Sequence, residues 1–214
     1  MICATCGEWA DIPQVDGQEV VCAHCGRREP ILRPPTLFLT GASGTGKSSV
    51  GRRLGPLVAP RIVVLEQDVL WVGALQDPTD DFGPFRRTWL RMVAMLNQSG
   101  RPSLLCGTVA PPQVEYRPER TLLGPTHYLA LVADDDVLRD RLAARPAWRG
   151  WQDDDRVAEM VQFNRWIVAN AATTDPPMSV LDTTHATVEQ SAQAVADWAL
   201  AHCADELHLS DTEP

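Results

Sequence analysis

Positions 41–48 read Gly-Ala-Ser-Gly-Thr-Gly-Lys-Ser and follow the pattern G-x-x-x-x-G-K-[ST] without a mismatch. Glycines at Gly41, Gly44 and Gly46 let a backbone turn so that successive N–H groups face one point, which suits the oxygens of a phosphate chain. A helix that starts at Lys47 adds the positive end of its dipole. In such a loop Lys47 reaches the β- and γ-phosphates and the Ser48 hydroxyl is a Mg²⁺ ligand, with Ser43, Thr45 and Ser49 in the same cradle. The pattern implies a nucleoside triphosphate with Mg²⁺. By itself it names no reaction and does not separate ATP from GTP.

A second constellation lies at the start of the chain. Cys3-x-x-Cys6, fifteen intervening residues and Cys22-x-x-Cys25 have the spacing of a Cys₄ zinc ribbon. Each Cys-x-x-Cys aims two thiolates at one point, and Gly7 and Gly26 follow where a positive φ is often needed. About 30 residues bury too little apolar area to fold alone, so zinc would supply stabilisation. Paired disulfides or a redox pair are the alternatives. No basic segment followed by an apolar stretch opens the chain, so a cytoplasmic protein with reduced thiols is expected. Four protein ligands leave no open position, and the zinc would be structural. His24 is read as exposed and not a ligand, Cys106 as buried, and Cys203 as part of the last helix.

These residues need elements to hold them. The expected organisation is a zinc ribbon over residues 1–30, a proline-stiffened linker over 31–36, an α/β domain over 37–204 and a flexible acidic tail over 205–214. Apolar runs at 36–40, 61–65, 103–106, 128–132 and 179–181 read as strands. Stretches near 47–58, 84–97, 135–144 and 156–171, and a last one from Thr187, read as helices. Thr187 with Gln190 has the form of a capping box. Strands alternating with helices predict a five-stranded parallel sheet covered by helices on both faces. The 214 residues carry a formal net charge of −9 and 44% apolar residues. That balance gives a core of ordinary size and ranks nucleic acid low as a partner. No apolar run reaches the length of a membrane span, so no membrane association is expected.

The chain lacks the N-K-x-D that reads guanine. Asp80-Asp81-Phe82-Gly83 has D-x-x-G spacing, but no apolar strand leads into it, so it reads as a loop. Over residues 36–200 the chain resembles the P-loop small-molecule and nucleotide kinases, such as shikimate, gluconate, chloramphenicol and nucleoside monophosphate kinases. Besides the phosphate loop, three places carry the resemblance. Val64-Leu65-Glu66-Gln67-Asp68 ends a strand in carboxylates, and the resemblance implies that Asp68 orients or deprotonates the acceptor hydroxyl, with Glu66 two residues earlier; a plain helix cap is the alternative. Residues 137–146 resemble the lid, where Arg141 and Arg145, four apart and so on one helix face, would stabilise the transferring phosphoryl group; a solvated helix of Asp–Arg pairs is the alternative. Leu181-Asp182-Thr183-Thr184 matches the loop beside the adenine, with Asp182 and Thr183 as base contacts or members of a plain turn. The third strand ends Cys106-Gly107-Thr108 and lacks the D-G-x-P-R of nucleoside monophosphate kinases and the G-G-G of shikimate kinases, so the acceptor stays open.

Residues 72–100 would bind the acceptor, with Arg86, Arg87 and Arg91 as candidate anion ligands or ordinary surface arginines. Trp148 and Trp151 would wall a ring-shaped acceptor, while Phe163 and Trp166, at helical spacing, read as core. The expected activity is phosphoryl transfer from ATP·Mg²⁺ to a hydroxyl or phosphate of a metabolite, nucleoside, nucleotide or antibiotic-like molecule. The rival is an ATP-binding regulatory protein, or a kinase of nucleic-acid ends, that docks its partner through the ribbon. The ribbon could equally pack on the body, join a homodimer or bind a protein.

Overall fold

The computed structural model describes residues 1–204; the expected acidic tail at 205–214 lies outside them. Among the described residues there are two sheets. Strands β1 (Gln14–Asp16), β2 (Glu19–Val21) and β3 (Arg28–Pro30) form a small antiparallel sheet in sequential order. Strands β4 (Thr36–Gly41), β5 (Val63–Glu66), β6 (Ser103–Cys106), β7 (Thr126–Val132) and β8 (Met178–Asp182) form a parallel sheet in the order β5-β6-β4-β7-β8.

The large sheet is built as a parallel sheet must be, with both faces covered. Every residue of the central strand β4 is buried. Its side chains alternate between two cores, as the pleat requires. Leu37 and Leu39 meet Val50, Leu54 and Val58 of α1 (Lys47–Val58) and Ala192, Val195 and Ala199 of α6 (Val188–His202). Phe38 faces the other way, stacked on Tyr128 at 4.7 Å, towards Trp89 and Val93 of α2 (Gly83–Asn97) and Ile167 of α5 (Asp154–Asn170). A short α3 (Pro112–Glu115) and the helix α4 (Asp135–Ala143) complete the body.

Several boundaries differ from those expected. Helix α4 stops at Ala143, so Arg145 lies beyond the helix and does not share a helical face with Arg141. Pro146 explains this, because a proline disfavours helical backbone in the residue before it. Trp166 is 37% exposed, not core. Helix α5 turns Val161, Asn164 and Ile167 inward, which leaves Trp166 stacked on Phe163 at its margin. The stretch 67–80 holds three short 3₁₀ turns where no regular element was expected. Asp81 and Phe82 both have positive φ and deliver the chain into α2.

The small sheet joins the body through side chains. Val20 and Ile31 enter the core that holds Trp89 and Val93. Arg91 of α2 reaches Asp11 at 2.8 Å and the buried Glu119 at 3.1 Å. Among the described residues no helix is long and apolar enough to cross a membrane.

The start of α6 has both halves of the capping box: Thr187 Oγ1 accepts from Gln190 N–H, and Gln190 Oε1 accepts from Thr187 N–H. Thr187→Ala removes one half. It is expected to cost about 1 kcal/mol and to lower the melting temperature by about 2–4 °C. An unchanged thermal transition would show that the cap carries no stability.

Candidate functional site

The phosphate loop leaves β4 through a close approach. Gly41 has φ 137°, and a Cβ there would lie 2.3 Å from the Leu131 carbonyl oxygen of β7, so no side chain fits. Gly44 is pressed by α4, with a Cβ only 2.7 Å from Leu138 Cδ1. Gly46 has φ 100° and open space around it, on the side a ligand would use. The loop thus obtains its turn from glycine conformation and its seat from β7 and α4.

Lys47 folds back over this loop, donating from Nζ to Gly41 O at 2.7 Å and Ala42 O at 2.9 Å. Burial lowers its pKa from the usual lysine range to about 8, helped by Arg145 and opposed by Asp68 and Glu66. Glu66, at the end of β5, has its pKa raised by burial and by the nearby Asp68 carboxylate, with the Ser48 hydroxyl and Lys47 opposing the rise. Two carboxylates that repel one another, beside a loop serine and a lysine, form an oxygen-rich set that suits a divalent cation.

A cavity of about 250 Å³ opens over the loop, lined by Gly44, Thr45, Gly46 and Ser49 on one side and by Arg141, Arg145 and Thr183 on the other. Thr183 locks the two sides together. Its hydroxyl donates within reach of Thr45 O (3.1 Å) and Val132 O (2.9 Å) and accepts from Arg141 Nη1 at 3.1 Å. Arg141 Nη2 also donates to Thr183 O at 2.7 Å. Asp182 turns away into its own loop, accepting from Thr184 N–H at 2.7 Å and from the Thr184 hydroxyl at 2.6 Å. Thr183 is therefore at the cavity and Asp182 serves the turn.

A second cavity, about 600 Å³, adjoins the first. Asp68 lies on it with Ser43 and Thr108, and so do Trp148 and Trp151. The sequence reading missed Trp71, Phe82 and Phe85, which line it as well; Trp71 and Phe82 lie in irregular chain without a periodic signal, whereas Phe85, in register with Trp89 and Val93 on α2, could have been found from that spacing. Of the three arginines on α2, Arg86 lines the cavity, Arg87 is exposed and Arg91 is committed to Asp11 and Glu119. Trp151 is buried, with Arg156 4.3 Å and Arg145 5.2 Å from its ring centroid, while Trp148 is 81% exposed. Arg145 lines both cavities, whereas Arg141 lines only the first.

Gly107 has a local reason of its own. A Cβ there would fall 1.5 Å from Gln67 Oε1, so only glycine lets the buried Gln67 close the start of the 67–70 turn that carries Asp68.

On the small sheet, the four cysteine sulfurs of Cys3, Cys6, Cys22 and Cys25 all lie within 4.8 Å of one another. Cys3 and Cys25 sulfurs are 3.8 Å apart and those of Cys6 and Cys22 3.7 Å. A tetrahedron with zinc–sulfur bonds of about 2.3 Å has edges of about 3.8 Å, whereas a disulfide needs about 2.05 Å. The two knuckles are near copies. Gly7 N–H donates to Cys3 O and Gly26 N–H to Cys22 O, both at 2.9 Å, and both glycines have φ 73°. Backbone N–H groups of Cys6 and then Thr5 lower the Cys3 thiol to about 7, whereas Cys6, despite the Glu8 N–H, is pushed up to about 12 by burial and by the other three thiols, so one thiolate forms readily and a bound cation would be needed to hold all four. The arrangement is that of a Cys₄ zinc ribbon.

No family model matches the chain, and no curated protein matches it. Solved structures do. The shikimate kinase of Acinetobacter baumannii, in complex with shikimate, superposes with a TM-score of 0.51 at 17% identity, covering 86% of this chain and 97% of that one. A gluconokinase from Sinorhizobium meliloti 1021 gives 0.52 at 18% identity over 83% and 97%. The APS kinase CysC of Mycobacterium tuberculosis, in complex with AMPPNP and APS, gives 0.54 at 18% identity over 78% and 98%. Likeness at this identity is likeness of fold, and the fold is that of the P-loop kinases.

The purified protein is expected to hold about one zinc ion per chain, released by a mercurial and read with a metallochromic dye, and Cys6→Ser should lose it. A metal-free, folded protein with four freely reactive thiols at these positions would refute the ribbon assignment.

Proposed function

We propose that this chain transfers the γ-phosphoryl group of ATP to a hydroxyl or phosphate of a small molecule. The observation that carries the reading is the meeting of the two cavities at Arg145: one is framed by the phosphate loop, the other holds Asp68 and has room for a small acceptor. A guanidinium at that junction is placed to neutralise charge on a group passing between them. The fold of the body, shared with a shikimate kinase and a gluconokinase, supports the same class of reaction.

In this reading the backbone N–H groups of 41–48 and Lys47 bind the triphosphate, with Lys47 exchanging its carbonyl partners for phosphate oxygens. Ser48 and Glu66 would hold Mg²⁺, which would supply neutralisation of phosphate charge. Thr183 and Arg141 tie the loop after β8 to the phosphate loop and so frame the nucleotide. Asp68 orients the acceptor hydroxyl and takes its proton. The hydroxyl oxygen bonds to the γ-phosphorus while the β–γ bridge breaks, and ADP leaves with that electron pair. A zinc-bound ribbon would brace α2 through Val20, Ile31 and the Arg91–Asp11 ion pair.

The test is transfer of labelled γ-phosphate from ATP to pools of nucleosides, nucleotides, sugars and aminoglycoside-like compounds. Lys47→Ala should abolish it. Asp68→Ala should lower turnover by about 10²–10⁴-fold with ATP affinity retained. Tight ATP binding with no labelled product in any pool would favour a regulatory protein instead.

The lowered lysine gives a pH dependence with a definite sign. Lys47 loses its proton in the free protein as pH rises through about 8, whereas a bound triphosphate restores it. ATP affinity should therefore fall above pH 8, with uptake of about one proton on binding there. Calorimetry in buffers of different ionisation enthalpy reads the uptake, and Lys47→Met should remove it. Binding without proton uptake at pH 8.5–9.5 would contradict the assignment.

A further inference from the structure

We propose that the larger cavity takes an acceptor that combines a flat ring with an anionic group, the ring held between aromatic walls and the anion by Arg86. The proposal rests on the phosphotransfer reading of the same site and specifies its second substrate.

Arg86 is the less ordinary of the two observations. It sits in the first turns of α2 and is only 9% exposed. A buried guanidinium should have its N–H groups satisfied. Its Nη1 lies 2.8 Å from Asp81 Oδ2, yet out of line for a hydrogen bond, so this buried nitrogen has no hydrogen-bond partner. Asp81 itself is largely exposed and also accepts from Gln113 Nε2 at 3.2 Å. The other face of Arg86 lies over the Phe82 ring at 5.9 Å. A buried, positively charged donor that lines a cavity and lacks a complete partner set suits a carboxylate or phosphate on the ligand.

The rest of the lining agrees in sign. Four arginines line the cavity, Arg86, Arg145, Arg149 and Arg156, against two carboxylates, Asp68 and Glu159. That excess stands in a chain whose formal net charge is −9. The three arginines beyond Arg86 are stacked on tryptophans: Arg149 lies 5.2 Å from the Trp148 centroid, and Arg145 and Arg156 lie over Trp151. Arg156 also donates to Arg149 O at 3.1 Å. Arg86 belongs to the α2 side of the cavity and has no such indole partner.

The ring follows from the walls. Trp71 packs on Phe82 at 5.1 Å and on Phe85 at 4.9 Å on the α2 side. Trp148 and Trp151 come from the segment after α4. Trp71 is 45% and Trp148 81% exposed, an unusual amount of indole to leave in water. A planar ring would remove their faces from water, whereas a polyhydroxylated chain would find few neutral hydrogen-bonding side chains there.

Matched compounds separate the two requirements. Cytidine monophosphate has ring and anion, cytidine only the ring, and ribose 5-phosphate only the anion. 4-(Hydroxymethyl)benzoate and 1,4-benzenedimethanol form a second pair. Binding is read by quenching of tryptophan fluorescence with ADP present, and transfer by label from ATP. At least one ring-bearing anion should bind about tenfold or more tightly than its neutral or ring-free counterpart. Arg86→Met should erase that preference with ADP binding retained, and Arg86→Lys should restore part of it. The proposal is overturned if the neutral or ring-free partner binds as well, if Arg86→Met leaves the preference intact, or if no ring-bearing anion binds. Should Arg86→Met fail to fold, the wild-type preference and Arg86→Lys decide. Binding of ring-bearing anions with no label on any compound in any pool sinks the phosphotransfer reading and spares this one; label on a neutral sugar with no preference for ring-bearing anions does the reverse.

Discussion

The contact between Gly41 and the Leu131 carbonyl is the constraint on which the site depends. Strands β4 and β7 pair in parallel through Gly41 and Leu131, and the backbone turns out of the sheet at that last pair. Because no Cβ intervenes, the loop can lie against the neighbouring strand instead of standing above it. That places Thr45 O within reach of Thr183, whose chain follows β8, and places Gly44 under Leu138 and Leu142 of α4. One missing methyl group thereby lets three later segments close on the same loop.

Charge is then arranged around a cation that is costly to bury. Lys47 is held by two backbone carbonyls, with Asp68 and Glu66 offsetting its desolvation and Arg145 adding to it. Desolvation outweighs the two carboxylates, so the lysine is held below its usual range and gains most from an anion brought against it. The ribbon lies elsewhere. Its sulfurs point at one another, and it meets the body through Val20, Ile31 and Asp11.

What could be read in the sequence was what is local. The phosphate loop, the Cys₄ spacing, the capping box at Thr187 and the alternation of strand and helix each fit within a few residues or one hydrophobic period. What could not be read depends on distant partners. Arg91 looked like its neighbours Arg86 and Arg87 until Asp11 and Glu119 were brought to it. Trp71, Phe82 and Phe85 become a wall only because three 3₁₀ turns and two residues of positive φ fold segment 67–82 over the end of β5. Trp151 lines the cavity as expected but is also buried, and Trp166 lies at the margin of α5 instead of in the core, for a related reason. The loop after α4 folds inward until Trp151 packs with Leu138, Leu142 and Val161, and Trp166 falls on the wrong side of α5.

The two cavities draw on different stretches of chain. The first is made from 44–50, 183–191 and two arginines, the second largely from 67–86 and 145–160, and among the described residues Arg145 alone lines both. Apart from Arg145, replacements in the second set leave the lining of the first unaltered. One set is held by the close approach of backbone to backbone at Gly41, while the other joins short 3₁₀ turns to the first turns of α2 and α5.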